Sequence, residues 1–196
     1  FIIYAFLFSV SSASEQAGGE QFSIVVLPDT QIYAESFPDH FYKQTEWIKN
    51  NIKELNIKFV IHVGDITNKN SEKEWEVADK AFQSIRGNVP YAVVRGNHDV
   101  GPNGNATTRE SEGFDKYFAA SLIEKEKWFG GKMGENLTNA WYKLDVANLK
   151  FLILCLDIQP TDKMLEWAGE VLEKNNDRQP TTVTHAYLLP DGNRIK

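Results

Sequence analysis

The chain reads as an α/β protein built around a parallel sheet, and three observations predict it. Short apolar runs rich in β-branched and aromatic residues recur at residues 22–27, 57–61 and 91–94, the pattern of strands buried on both faces. Stretches with helical spacing lie between them, so strand and helix alternate as they do in parallel sheets with crossover helices. Each run ends in a polar segment, Asp29-Thr30-Gln31, Gly64-Asp65 or Gly96-Asn97-His98-Asp99. Ligands bind beyond the carboxyl ends of such strands, so these segments are expected to be site loops.

The elements follow in order. After Pro38, the residues Phe41, Thr45, Ile48, Ile52 and Leu55 recur at spacings of four and three, which predicts a covering helix with one semi-apolar stripe. Ser71 and Glu74 form a capping box for a second helix, whose inward face carries Trp75, Ala78, Phe82 and Ile85. Residues 100–111, with Gly101, Pro102, Gly104 and two asparagines, read as a long polar loop beside the third motif, where substrate access is often shaped. Phe114, Tyr117 and Phe118 suggest a short helix. Residues 140–145 and 150–156 flank Val146-Ala147-Asn148-Leu149 as a β-hairpin. A helix over 161–174, with Leu165, Ala168, Val171 and Leu172 inward, is followed by a strand at 181–184 that delivers His185.

Composition narrows the classes. With 196 residues and a net charge of −6, one domain is expected over 22–196, and the absence of a Lys/Arg run argues against a nucleic-acid-binding surface. Residues 1–10 are almost wholly apolar and lead into Ser11-Ser12-Ala13-Ser14. Residues 1–21 thus read as a signal-peptide remnant and linker of an exported, periplasmic or extracellular protein, truncated at its start, with cleavage or retention as an anchor both open. Ten apolar residues fall short of the roughly 20 that span a bilayer, so no stable membrane insertion is expected. Cys155 excludes an intrachain disulfide and sits in the apolar run 151–156, which reads as core. The sequons at Asn105 and Asn136 carry no functional weight.

Asp29, Asp65, Asn97 and His185 are oxygen or imidazole donors placed at or just past expected strand ends. Each alone reads as a turn former or cap. Four in register make a metal site the better reading, and Gly64 and Gly96 would let the backbone turn so that the next side chain points at an ion.

The order Asp-x-Gln, Gly-Asp, Gly-Asn-His-Asp and a later His resembles the calcineurin-like metallophosphoesterase family, over roughly Ile24 to His185. The resemblance implies a four-layer α/β/β/α sandwich with a centre of two divalent metal ions (Mn, Mg, Fe, Zn or Ca) at one end of the paired sheets. It implies that Asp29 binds the first ion, that Asp65 bridges both, and that Asn97 and His185 bind the second. His98 would serve the leaving group, and Asp99 would orient the His98 ring through its other nitrogen. The implied reaction is hydrolysis of a phosphomonoester or phosphodiester by metal-bound hydroxide, on a small phosphorylated substrate or a phosphoprotein.

Two departures bear on this. Gln31 stands where the family usually has His: either its amide oxygen ligates, favouring harder ions over Zn²⁺, or a water fills the place. No Gly-His-x-His follows His185, so the domain is expected to be incomplete at its C-terminus, each ion to lack one ligand, and turnover to be weak. His62 is expected to be packed or to lie behind the site, His40 has no assigned role, and Arg95 either pairs with a substrate phosphate or forms a structural ion pair. The competing reading is a non-catalytic protein that binds a metal or phosphate ligand on the same scaffold. His98 and Asp99 favour the enzyme, because a binder has little need of an oriented, non-ligating imidazole.

Overall fold

The computed structural model describes residues 20–188 and 191–193. The expected export segment, apart from Glu20 and Gln21, and part of the loop after His185 lie outside these residues. Among the described residues no helix is long and apolar enough to cross a membrane.

The three expected strands form β1 (Ser23–Leu27), β2 (Ile57–His62) and β3 (Tyr91–Val93). They make a parallel sheet in the order β1-β2-β3. Its register sets Leu27 beside His62 and His62 beside Val93, so the three strands end level and their loops emerge on one rim. The second sheet has the order β4-β5-β6-β7, from β4 (Phe129–Lys132), β5 (Ala140–Val146), β6 (Leu149–Cys155) and β7 (Gln179–Val183). β4, β5 and β6 are antiparallel, while β7 runs parallel to β6 with Val183 beside Cys155.

The helices cover the outer faces. α1 (Gln31–Ser36) and α2 (Pro38–Asn51) follow β1, α3 (Glu72–Phe82) follows β2, α4 (Glu112–Tyr117) follows β3, and α5 (Asp162–Lys174) joins β6 to β7. Phe41 of α2 and Phe82 of α3 meet edge-on, with ring centroids 6.2 Å apart, over the outer face of the first sheet. Between the sheets Phe59 packs against Trp128 at 6.1 Å and Tyr142 at 6.0 Å, and Phe22 against Phe151 at 5.9 Å. Side chains of β6 alternate: Ile153 and Cys155 enter this inter-sheet core, while Leu152 and Leu154 pack under Ala168 and Val171 of α5. The layers are therefore helix, sheet, sheet, helix, as expected. The fully buried Cys155 thiol is pushed up by desolvation, consistent with a core residue.

Several elements differ from expectation for local reasons. The hairpin closes in two residues, Ala147 and Asn148, at φ 52° and 62°, the left-handed pair of a type I′ turn that matches strand twist, so Val146 and Leu149 stay in the ladder. β7 begins at Gln179 and includes Pro180, tolerated because among the described residues β7 is an edge strand. β4 had no sequence signal: its Phe-Gly-Gly-Lys lies close under Trp141, whose ring carbons are 2.3 Å from where a Gly130 Cβ would stand.

Candidate metal centre

Asp29, two residues past β1, Asp65, three past β2, and His185, two past β7, come together at the shared rim, with one ligand atom of each lying within 4.8 Å of the others. His185 Nε2 is 3.4 Å from Asp65 Oδ2, and its Nδ1 is 3.8 Å from Asp29 Oδ1. The same Nδ1 is 2.9 Å from the carbonyl of Val63, which ties the end of β7 to the end of β2 across the two sheets. That bond places the proton on Nδ1 and leaves Nε2 free to ligate, the usual arrangement behind a metal-bound imidazole.

The turn that aims Asp65 is unusual. Gly64 and Asp65 have φ of 101° and 50° in succession, and the second is a left-handed conformation that a non-glycine residue holds only under local constraint. The constraint comes from neighbours. Asp65 Oδ1 accepts the N–H of His98 at 3.0 Å. A Cβ on Gly96 would stand 2.0 Å from Asp65 Oδ1 and 2.4 Å from its backbone nitrogen, and a Cβ on Gly64 would stand 2.7 Å from His185 Nδ1. Gly64 thus serves both turning and space, as expected in part. Gly96, at φ −101°, serves space alone, which corrects its expected turning role.

Electrostatics fit a cation. The Asp65 carboxyl is pushed up by burial, but hydrogen bonds from His185 and the His98 N–H outweigh this and hold it below its ordinary range. Asp65 in turn lifts His185 to about 9, burial working against it and the Val63 carbonyl and Asp29 adding to it.

The remaining expected ligands follow in the same loops, Gln31 two residues after Asp29 and Asn97 directly before His98. Gln31 opens α1, and its Oε1 is buried without a hydrogen-bond partner among the described residues. A buried carbonyl oxygen left unpaired costs free energy, so this atom suits a ligand or a water on an ion. Asn97 lies partly exposed in the 3₁₀ turn Asn97–Asp99 with His98. An all-oxygen-and-imidazole donor set of this kind fits hard to borderline divalent ions.

His98 and Asp99 do not form the expected pair. The His98 Nδ1 meets the carbonyl of Asn68 at 2.8 Å. Asp99 is fully buried and faces elsewhere: Oδ2 accepts the N–H groups of Ile66 at 3.0 Å and Gly96 at 2.9 Å, and Oδ1 accepts the N–H of Thr67 at 2.7 Å and its hydroxyl at 2.9 Å. Four donors use the carboxylate completely, so it cannot also reach the imidazole. Asp99 staples the Gly-Asn-His turn to the loop after Asp65, and burial raises it to about 6 in spite of those bonds.

Other residues behind the site were only partly foreseen. His62, fully buried and neutral because desolvation lowers it to about 3, accepts the Gly64 N–H at Nδ1 and meets Thr30 Oγ1 at Nε2, 2.9 Å away. Thr30 then donates to the Ile66 carbonyl, so the loops carrying Asp29 and Asp65 share one network. This is the packed role expected for His62. Arg95 resolves to the ion pair: it grips Asp157 in two bonds of 3.0 and 2.7 Å, with Arg109 as a second cation on the same carboxylate. Arg109, from the 100–111 loop, also donates to the carbonyls of Ile158 and Gln159, which fixes that loop beside the site.

Comparison with known proteins agrees with this geometry. The chain is 38% identical over 178 residues to the uncharacterized protein YvnB of Bacillus subtilis (strain 168), a match covering 89% of this chain and 13% of that protein. The fold resembles that of a purple acid phosphatase from yellow lupin (Lupinus luteus) seeds, with a TM-score of 0.53 and 19% identity over 84% of this chain and 31% of the other. Residues 22–194 match the calcineurin-like phosphoesterase profile. With strand-end carboxylates and an imidazole converging on one rim of two packed sheets, and a profile match spanning both, the chain belongs to the calcineurin-like phosphoesterase family, a family of metal-dependent phosphoester hydrolases.

Proposed function

We propose that this domain hydrolyses a phosphomonoester or phosphodiester at a centre of two divalent ions. The observation that carries the reading is the convergence of Asp29, Asp65 and His185 within 4.8 Å, with the His98 N–H bonded to Asp65. Asp29 and the unpaired Gln31 oxygen would hold the first ion, Asp65 would reach both through its two oxygens, and Asn97 and His185 would hold the second. When bound, divalent ions held by these residues would lower the pKa of a water and draw charge from the phosphoryl oxygens. Gln31 supplies oxygen where an imidazole is usual, which inclines the first site toward Mn²⁺, Mg²⁺ or Ca²⁺.

The chain's own groups supply the rest. Because the Asn68 carbonyl engages His98 Nδ1, Nε2 is the ring nitrogen left to hand a proton to the departing oxygen as the ester bond breaks. Asp99, Thr30 and His62 keep the three loops in register, so the donors converge without rearrangement. The substrate would be a small phosphorylated molecule or a phosphoprotein.

The test is metal content and hydrolysis of an aryl phosphate and its diester by the full-length protein, beside Asp65→Asn. Bound divalent ions and turnover in the parent, both lost in the variant, are expected. Metal with no turnover on any ester of a broad panel would favour a binding protein on the same scaffold, and unchanged metal and turnover in Asp65→Asn would refute the site.

A further inference from the structure

The mechanism leaves unused one carboxylate that is a single residue removed from the His98 imidazole. Glu35 lies four residues after Gln31, on the same face of α1. Its Oε2 accepts the side-chain amide of Asn68 at 2.9 Å, and its Oε1 pairs with Lys69 at 2.5 Å. Asn68 is the residue whose carbonyl holds His98 Nδ1. The same loop is held from below by Glu74, which accepts the N–H groups of Asn68, Lys69 and Ser71.

The two glutamates differ in kind. Glu74 is buried and caps α3, so its removal would unfold the loop. The Glu35 side chain is 26% exposed, and the loop groups it bonds are the side chains of Asn68 and Lys69, so it can be changed with the loop's backbone bonds intact. What it sets is the orientation of Asn68 relative to α1, the helix that opens with Gln31. On its other side the Asn68 carbonyl lies against Gly104, where a Cβ would stand 2.5 Å from it.

We propose that Glu35 is a positioning residue for His98. Through Asn68 it keeps the His98 ring turned so that Nδ1 carries its proton toward the Asn68 carbonyl and Nε2 faces the departing oxygen of the substrate. This rests on the phosphoester reading above. The consequence is selective: an alkyl leaving group needs the proton, whereas a p-nitrophenolate leaves without one.

The experiment compares Glu35→Ala and Glu35→Gln with the parent, in the full-length protein, on an alkyl phosphate ester and on the matching p-nitrophenyl ester. Glu35→Ala is expected to lower kcat on the alkyl ester about 10- to 30-fold, part of the effect of general-acid catalysis, with KM within about twofold and the p-nitrophenyl rate nearly unchanged. Glu35→Gln keeps an oxygen acceptor for Asn68 and should restore most of the alkyl-ester rate. Ring nitrogen NMR of the metal-free proteins should show His98 as one Nδ1–H tautomer in the parent and Glu35→Gln, and as a mixture in Glu35→Ala. Parallel loss on both esters, an unchanged alkyl rate, or an unchanged His98 ring would each overturn the proposal. If the parent hydrolyses no ester of a broad panel, the phosphoester reading fails, and the ring spectra still decide whether Glu35 orients His98.

Discussion

Metal binding by this domain should release a proton from His185, and its pH dependence follows from the geometry. In the metal-free protein Asp65 lifts His185 from its ordinary 6.5 to about 9, while Nε2 must be deprotonated to ligate. Asp65 is held low and is already ionised near neutrality. Between pH 6.5 and 9 one proton must therefore leave for each ion that His185 takes. Apparent affinity for Mn²⁺ should rise about tenfold per pH unit across that window and level off above it. At pH 7, two units below the folded value, affinity should lie about 10- to 100-fold under the plateau, the lower end allowing for solvent screening of a side chain that is 16% exposed. The sign for stability follows the same linkage. A raised imidazole stabilises the metal-free fold fully below 6.5, and that contribution is lost as pH climbs through 9. Calorimetric titrations in two buffers of different ionisation enthalpy count the released proton directly, and His185→Asn should bind more weakly with a nearly flat profile. A parent whose affinity is flat over this window, or a His185→Asn protein that keeps the slope, would refute the assignment of Nε2 as a ligand.

Three other outcomes are expected. Gly96→Ala places a methyl 2.0 Å from Asp65 Oδ1, so it should cost about 1 to 3 kcal/mol by overpacking and lower metal stoichiometry, read by urea unfolding and elemental analysis. Asp99→Asn gives up one acceptor oxygen among four buried donors and turns an amide toward them, for a loss of about 2 to 4 kcal/mol and a weaker metal site; a variant as stable as the parent would contradict the stapling role. Arg95→Met leaves Asp157 buried with only Arg109, costing about 3 to 5 kcal/mol, much of which the double change Arg95→Met with Asp157→Leu should recover.

Where the chain's own periodicity was strong, the fold was legible. The stripe from Phe41 to Ile48 and the Ser71–Glu74 box gave α2 and α3 because a helix packed on a sheet must repeat its apolar face. α1 was not foreseen: six residues, Gln-Ile-Tyr-Ala-Glu-Ser, are too few to show a period, and Ile32 points to solvent while Ala34 is buried. β4 failed for another reason, since its two glycines answer to the indole of Trp141 and not to any local strand preference. The second sheet and the fourth layer were readable only through family resemblance, because a hairpin pattern does not say what packs across it.

The site divides along the same line. Ligand-type residues at strand ends were legible because the chain must place them there, and Asp29, Asp65 and His185 do meet. The partners that hold them were not, because a sequence lists donors and acceptors without saying which will face one another. Asp99 adjoins His98 in sequence, yet in a 3₁₀ turn successive side chains point apart, and the nearest unsatisfied donors were the N–H groups of the loop after Asp65, 32 to 33 residues away. A buried carboxylate is taken by whichever backbone N–H groups would otherwise stay unpaired, and the imidazole is left to a carbonyl, here that of Asn68. A carbonyl orients an imidazole through one hydrogen bond but adds no full negative charge, so the chain turns the His98 ring without placing a carboxylate against it.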